Sequence, residues 1–276
     1  MSCTCDSSFL AATIATLILL LLPIALPVIR RIPKFNASKT ASVGGGMAMS
    51  AVFVFMLPDV ISKIHGVAAE TEIAFLKSEG HLMFAVFSTF LFAFCIMYAL
   101  EKVALDSTKI NVTPNKFIFF LHMLILCSML ITLVSSFPAL ANASVYALGI
   151  VCSLAIFEIF LEETALLKHF NHLYSTVGRY LVLASLVIGW VIGLKFADQQ
   201  TTVFTLMFQA FVIGMILTAV IKGEFDLINQ ANNYRIFVTA ATIKTLIILG
   251  IIFIEDSGAA KKEEAFQSEQ HIQSDA

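Results

Sequence analysis

Residues 116–137 read Lys116-Phe117-Ile118-Phe119-Phe120-Leu121-His122-Met123-Leu124-Ile125-Leu126-Cys127-Ser128-Met129-Leu130-Ile131-Thr132-Leu133-Val134-Ser135-Ser136-Phe137. A run this long and this apolar is a helix that crosses a bilayer, whose hydrocarbon core takes roughly 20 residues of α-helix. Working outward, seven further runs of that kind appear: 9–29, 43–62, 81–100, 144–166, 179–197, 202–222 and 235–254. Pro138 lies in the short link between the fourth and fifth runs, and Gly223-Glu224-Phe225-Asp226 with Asn229 to Arg235 breaks the seventh from the eighth. The expected fold class is therefore all-α, a polytopic membrane bundle of about eight transmembrane helices.

Composition agrees. Of 276 residues, 59% are hydrophobic and 13% are charged, about half the charged share of a soluble domain. Mean hydropathy is +0.90, so most of the surface faces lipid. No link is long enough for a soluble domain, which predicts one transmembrane domain over 1–254. The polar stretch 255–276 predicts a disordered tail. The net charge of -2 gives no reason to expect a nucleic-acid partner. Cys3, Cys5, Cys95, Cys127 and Cys152 have neither disulfide nor zinc-finger spacing.

Charge sets the expected orientation. Residues 1–9 hold no Lys or Arg, whereas Arg30, Arg31, Lys34 and Lys39 follow the first run. That order does not suit a cleavable signal and predicts an outer N-terminus. Alternating from there, the inner segments hold Arg30, Arg31, Lys34, Lys39, Lys102, Lys109, Lys116, Lys168, Arg179, Lys222 and Arg235. The outer ones hold Lys63, Lys77, Lys195, Lys261 and Lys262. The excess inside predicts both termini extracellular or lumenal.

Ionisable residues within a span cost at least ~2.5–3.5 kcal/mol at its centre, so each needs a reason. The fifth run carries Phe157-Glu158-Ile159-Phe160-Leu161-Glu162-Glu163, followed by Lys168-His169-Phe170-Asn171-His172. At about 100° per residue, Glu162 lies ~40° from Glu158, His169 ~20° and His172 ~-40°. These four share one face along about 21 Å of helix, while Glu163 points elsewhere, near 140°. Such a row suits the passage of a divalent cation. The blander reading leaves only Glu158 deep and puts the others at the interface.

His122 is six residues from Lys116, as Glu162 is from Lys168. If the fourth and fifth helices are neighbours, His122 and Glu162 sit at one depth, with Cys127 near the level of Glu158. Imidazole, thiolate and carboxylate together suit zinc or a related metal. Packing is the competing explanation of a lone membrane histidine. Asp59 closes the second run as a candidate outer carboxylate on the pathway. Lys244 lies about nine residues from either end of the last run, too deep to snorkel. It calls for an internal partner, with Glu158 and Glu162 as candidates, and a lysine there would take the cation's place.

These features resemble the ZIP (Zrt/Irt-like) family of divalent metal permeases. Gly44-Gly45-Gly46-Met47 through Met56-Leu57-Pro58-Asp59 looks like that family's second helix, with Phe55 where a histidine is usual. Tyr98-Ala99-Leu100-Glu101-Lys102 is similar to its Leu-Glu-basic ending of the third helix. His122 matches the histidine of the fourth-helix motif. Glu158 and Glu162 match the histidine and glutamate of the fifth, with Leu161 in place of its proline. Lys222 stands near a usual carboxylate, and Asp106 to Asn115 lacks the family's histidines. The resemblance implies eight helices and a carrier of zinc, iron or manganese toward the cytoplasm. The metal is then the transported substrate, with no prosthetic group, and its ligands are His122, Glu158 and Glu162. Asp59, Cys127, His169 and His172 are pathway candidates. The lipid bilayer and a second copy in a homodimer are the expected partners.

Two other readings stand beside it. One is a non-transporting membrane protein of the same fold, structural or regulatory, marked by Lys244 as internal counter-charge. The other is an intramembrane enzyme built on His122, His169 and His172. No Ser/His/Asp or paired-Asp arrangement supports catalysis, so no enzyme is expected.

Overall fold

The computed structural model describes residues 7–30, 37–109, 116–196, 202–227 and 233–274. Cys3, Cys5, Arg31, Lys34, the loop up to Asn115 and the break beginning at Asn229 lie outside the described residues, as do the Lys168 and Lys222 side chains. Among the described residues the chain is an all-α bundle, with eight helices long and apolar enough to cross a membrane. The first span is α1 (Ser7–Ile29). The second is α2 (Ala37–Ala51), a π turn over Val52–Met56, and α3 (Leu57–Glu70). The third is α4 (Glu79–Lys109). The fourth joins α5 (Lys116–Ser135) to α6 (Phe137–Ala143). The fifth is α7 (Val145–Leu173). A second π turn, Tyr174–Gly178, leads into α8 (Arg179–Phe196) of the sixth span. The last two are α9 (Val203–Leu227) and α10 (Asn233–Ser274).

The breaks within spans have local causes. Pro58 cannot donate back to Val54, and the π turn just before it absorbs the missing bond. Pro138 has the same effect between α5 and α6. There Ser135 Oγ donates to the Thr132 carbonyl at 2.8 Å and Ser136 Oγ to that of Leu133 at 2.7 Å, which keeps freed backbone groups bonded. Ser144 caps α7, its Oγ accepting from the Ala147 N–H at 3.1 Å.

Side-chain contacts fix the direction of each span. Ser50 and Thr245 meet at 2.8 Å, and Gly46 lies on Phe237, so the second and eighth spans are parallel. Met207 reaches Thr89 and Thr218 reaches Phe94, so the third and seventh are parallel as well. Ile131 lies at Gly189 and Ser135 at Gly193, which makes the fourth and sixth parallel. His122 meets Glu162, while Phe119 meets Phe170, so the fifth runs against the fourth. The chain therefore reverses between the fifth and sixth spans. Eight alternating passes leave Ser7 and Ile254 at one face, and Arg30, Lys116, Arg179 and Arg235 at the other.

The pairings have an internal symmetry. The second span packs most extensively on the eighth, the third on the seventh and the fourth on the sixth, and the first lies on the fifth, the sixth and the α6 end of the fourth. Exchanging one with six, two with seven, three with eight and four with five maps these principal pairings onto themselves. The two triplets run in opposite directions, so their pairing pattern is inverted about a central pair. Gly46 and Gly214 occupy related places. A Cβ at Gly46 would strike the Phe237 carbonyl, and one at Gly214 the Phe90 carbonyl. Small residues of this kind let membrane helices approach backbone to backbone.

Three elements differ from the sequence reading. The sixth apolar run, read as 179–197, starts ten residues earlier, at His169. α10 continues to Ser274 through the stretch expected to be disordered. Its Ala259-Ala260-Lys261-Lys262-Glu263-Glu264-Ala265 are all good helix formers. Phe170 has φ -132 and ψ 34, outside helical values. The 100° register that placed His172 with Glu158 therefore ends before it.

Candidate functional site

α7 is the most buried of the eight spans. It is flanked by α1, α2, α6 and α9, with α5 across the lower half of its length. From Ile150 to Leu167 no residue of α7 is exposed, so polar residues there have to be met from several sides. Glu158, Glu162 and Glu163 are all buried, at 0%, 2% and 1% exposure.

His122 on α5 faces Glu162. The two meet through Nε2 and Oε2 at 2.8 Å, with both side chains 2% exposed. His122 Nδ1 is buried and has no hydrogen-bond partner among the described residues. If Nε2 carries the proton, it donates to the carboxylate and Nδ1 is left as a bare lone pair. That tautomer is assigned from the contact. A carboxylate that holds one imidazole nitrogen while the other is free is the arrangement of a metal-binding histidine and its orienting acid. Glu158 lies one turn along α7 on the same face as Glu162, about 6 Å away along the axis. Among the described residues, however, no three His, Cys, Asp or Glu side chains form a group ready to hold a metal.

The other candidates fall as follows. Cys127 is half-buried and turns to α8, where Ser185 is its hydrogen-bond neighbour. It lies about 140° around α5 from His122, which explains why equal depth did not bring it to Glu158. His169 is buried, its ring edge-on to Phe170 with centroids 6.4 Å apart. His172 is exposed. Asp59 is paired with Lys63 at 2.5 Å on the partly exposed α3, one turn away on its own helix.

The Lys244 ammonium donates to Ser153 Oγ at 2.6 Å, and the residue is 7% exposed. The partner on α7 is thus a hydroxyl, not the carboxylate of Glu158 or Glu162. Ser153 lies five residues before Glu158, about 140° round the helix and about 7.5 Å along it. That separation is why a lysine correctly placed beside α7 does not meet the acids.

A second polar cluster escaped the sequence reading. Glu163 is in electrostatic range of Arg30 and Arg179. Neither of its oxygens has a hydrogen-bond partner among the described residues. Arg30 Nη2 donates to Thr164 Oγ1 at 2.9 Å, and its guanidinium lies over the Phe160 ring, 5.8 Å from the centroid. The cluster ties the ends of α1 and α7 to the start of α8. The arginines had been counted only as flanking charge, and Glu163 had been set aside by its angle. Their shared depth was the available signal.

Compared with protein-family models, curated proteins and solved structures, the chain matches none.

Proposed function

We propose that this protein is a membrane carrier that moves a divalent metal cation (zinc, iron or manganese) toward the cytoplasm by alternating access. The observation that carries the reading is the buried His122–Glu162 contact, with Nδ1 unpartnered and Glu158 one turn away. A cation approaching this point would take Nδ1 of His122 and carboxylate oxygen from Glu158, while Glu162 holds the imidazole and shares its negative charge. Imidazole with carboxylate accepts all three metals, and the larger share of oxygen favours the harder ones. The conformation described is one in which His122 and Glu162 satisfy each other. Loading the ion then requires a path to Nδ1 to open while the His122–Glu162 contact is kept.

The inverted pairing of the two triplets supports the same reading. Carriers built this way bind their cargo near the membrane midplane and rock one set of helices against the other. The close contacts at Gly46 and Gly214 make the two outer pairs stiff units suited to such motion. The second reading, a non-transporting protein with a structural or regulatory role, draws support from the absence of a preassembled three-ligand group among the described residues.

Uptake of radioactive zinc, manganese and iron separates the two. Cells expressing the wild type should accumulate at least one of these metals above cells expressing Glu158→Ala, Glu162→Ala or His122→Ala at equal membrane abundance. Equal uptake in all four lines, for all three metals, favours the non-transporting protein.

A further inference from the structure

We propose that the groove between α2 and α10 is a binding site for a long-chain carboxylic acid, whose carboxylate pairs with Lys244. The groove encloses about 430 Å³, within the range of small-molecule sites. Val43 and Met47 form one wall, and Ala240 and Ile243 the other. Lys244 is buried at its floor and Arg235 is exposed at its end. The lining holds two cations and no acid.

Lys244 is the observation that calls for a ligand. It lies ten residues from either end of the Tyr234–Ile254 span, the region where a charged side chain is least tolerated and normally has a counter-charge. Its hydrogen-bond partner, Ser153, is neutral and can occupy one of three ammonium donors. No carboxylate among the described residues lies within ion-pair distance of it. α10 is also the least buried of the eight spans, so the groove opens to the lipid from which an amphiphile would arrive. A carboxylate supplies the missing charge, and an alkyl chain covers the Val43, Met47, Ala240 and Ile243 surface. Arg235, about 13 Å away along the helix, attracts the same charge at the membrane surface. A phospholipid headgroup does not reach the depth of Lys244, whereas the carboxyl end of a single-chain acid does so once its charge is paired.

The test uses the full chain purified in a neutral detergent and tritiated palmitate as the probe, with methyl palmitate as the uncharged competitor. Saturable binding near one palmitate per chain is expected. Unlabelled palmitate should compete at least tenfold better than the ester. Lys244→Met should lower affinity at least tenfold, and Lys244→Arg should keep most of it. Folding of each variant is checked by its elution profile and thermal transition. Should Lys244→Met fail to fold, Ala240→Phe, which fills the groove without touching the charge, should abolish binding. Equal competition by acid and ester, or unchanged binding by Lys244→Met or by Ala240→Phe, overturns the proposal. Loss of binding in Arg235→Ala but not in Lys244→Met overturns it in favour of a surface site for anionic lipid. Quantitative chain-to-chain crosslinking of Ile243→Cys overturns it in favour of a second copy in the groove.

Discussion

Glu163→Gln removes the negative charge from between two arginines while keeping the side chain's volume. Glu163 is 1% exposed, with Arg30 and Arg179 as its charged neighbours. Breaking a buried ion pair at contact distance by removing one partner costs about 3–5 kcal/mol, an upper bound here because neither Glu163 oxygen is hydrogen-bonded to an arginine among the described residues. Two features reduce that here. Both arginines are only half-buried, so water screens part of the loss. Arg30 also keeps its bond to Thr164 and its place over Phe160, a cation–π contact of about 0.5–2 kcal/mol. The expected destabilisation is therefore about 2 kcal/mol. Thermal unfolding of the purified protein in detergent should show it as a transition lowered by roughly 4–8 °C. Adding Arg179→Met should recover part of the loss, since the double variant leaves one arginine unopposed there rather than two. A Glu163→Gln transition within a degree of the wild type would refute the reasoning. So would a double variant whose loss is the plain sum of the two single ones.

Three further outcomes follow from the same structure. Gly46→Leu and Gly214→Leu should each sharply reduce the folded yield, measured by fluorescence-detected size exclusion, because each drives a side chain into the backbone of the adjoining helix. Asp59→Asn should change stability by no more than about 1 kcal/mol, since its pair with Lys63 is partly exposed, and metal uptake should persist. His172→Ala should leave uptake at the wild-type level in the radiometal assay, its side chain being exposed, whereas His122→Ala should lose at least nine-tenths of it.

The spans were readable because a bilayer imposes a length on every crossing, and the apolar runs have that length. The meeting of His122 with Glu162 was readable for a related reason. Both stand six residues from a lysine at one face, and depth in a membrane is set by such flanks. Neither depth nor angle suffices alone, as Cys127 and Glu163 illustrate. Glu163 does point away from the Glu158–Glu162 face, toward Arg30 and Arg179; taking α7 to have one functional face is what hid that cluster. The row ending at His172 assumed a register that Phe170 interrupts. Lys244 was rightly judged to need an internal partner. Ser153 was overlooked because only acids were considered, although a hydroxyl one and a half turns nearer the N-terminal end of α7 lay within reach.

The central claim is that His122 and the α7 carboxylates hold the cation that crosses the membrane. X-ray absorption at the zinc or manganese edge of the metal-loaded, purified protein tests it most directly. The account predicts one imidazole nitrogen, at about 2.0–2.1 Å for zinc, among carboxylate oxygens. His122→Gln should remove the imidazole scattering, and Glu158→Gln should lower metal occupancy. A metal environment unchanged by both substitutions, or no stoichiometric metal in the wild type, would contradict it.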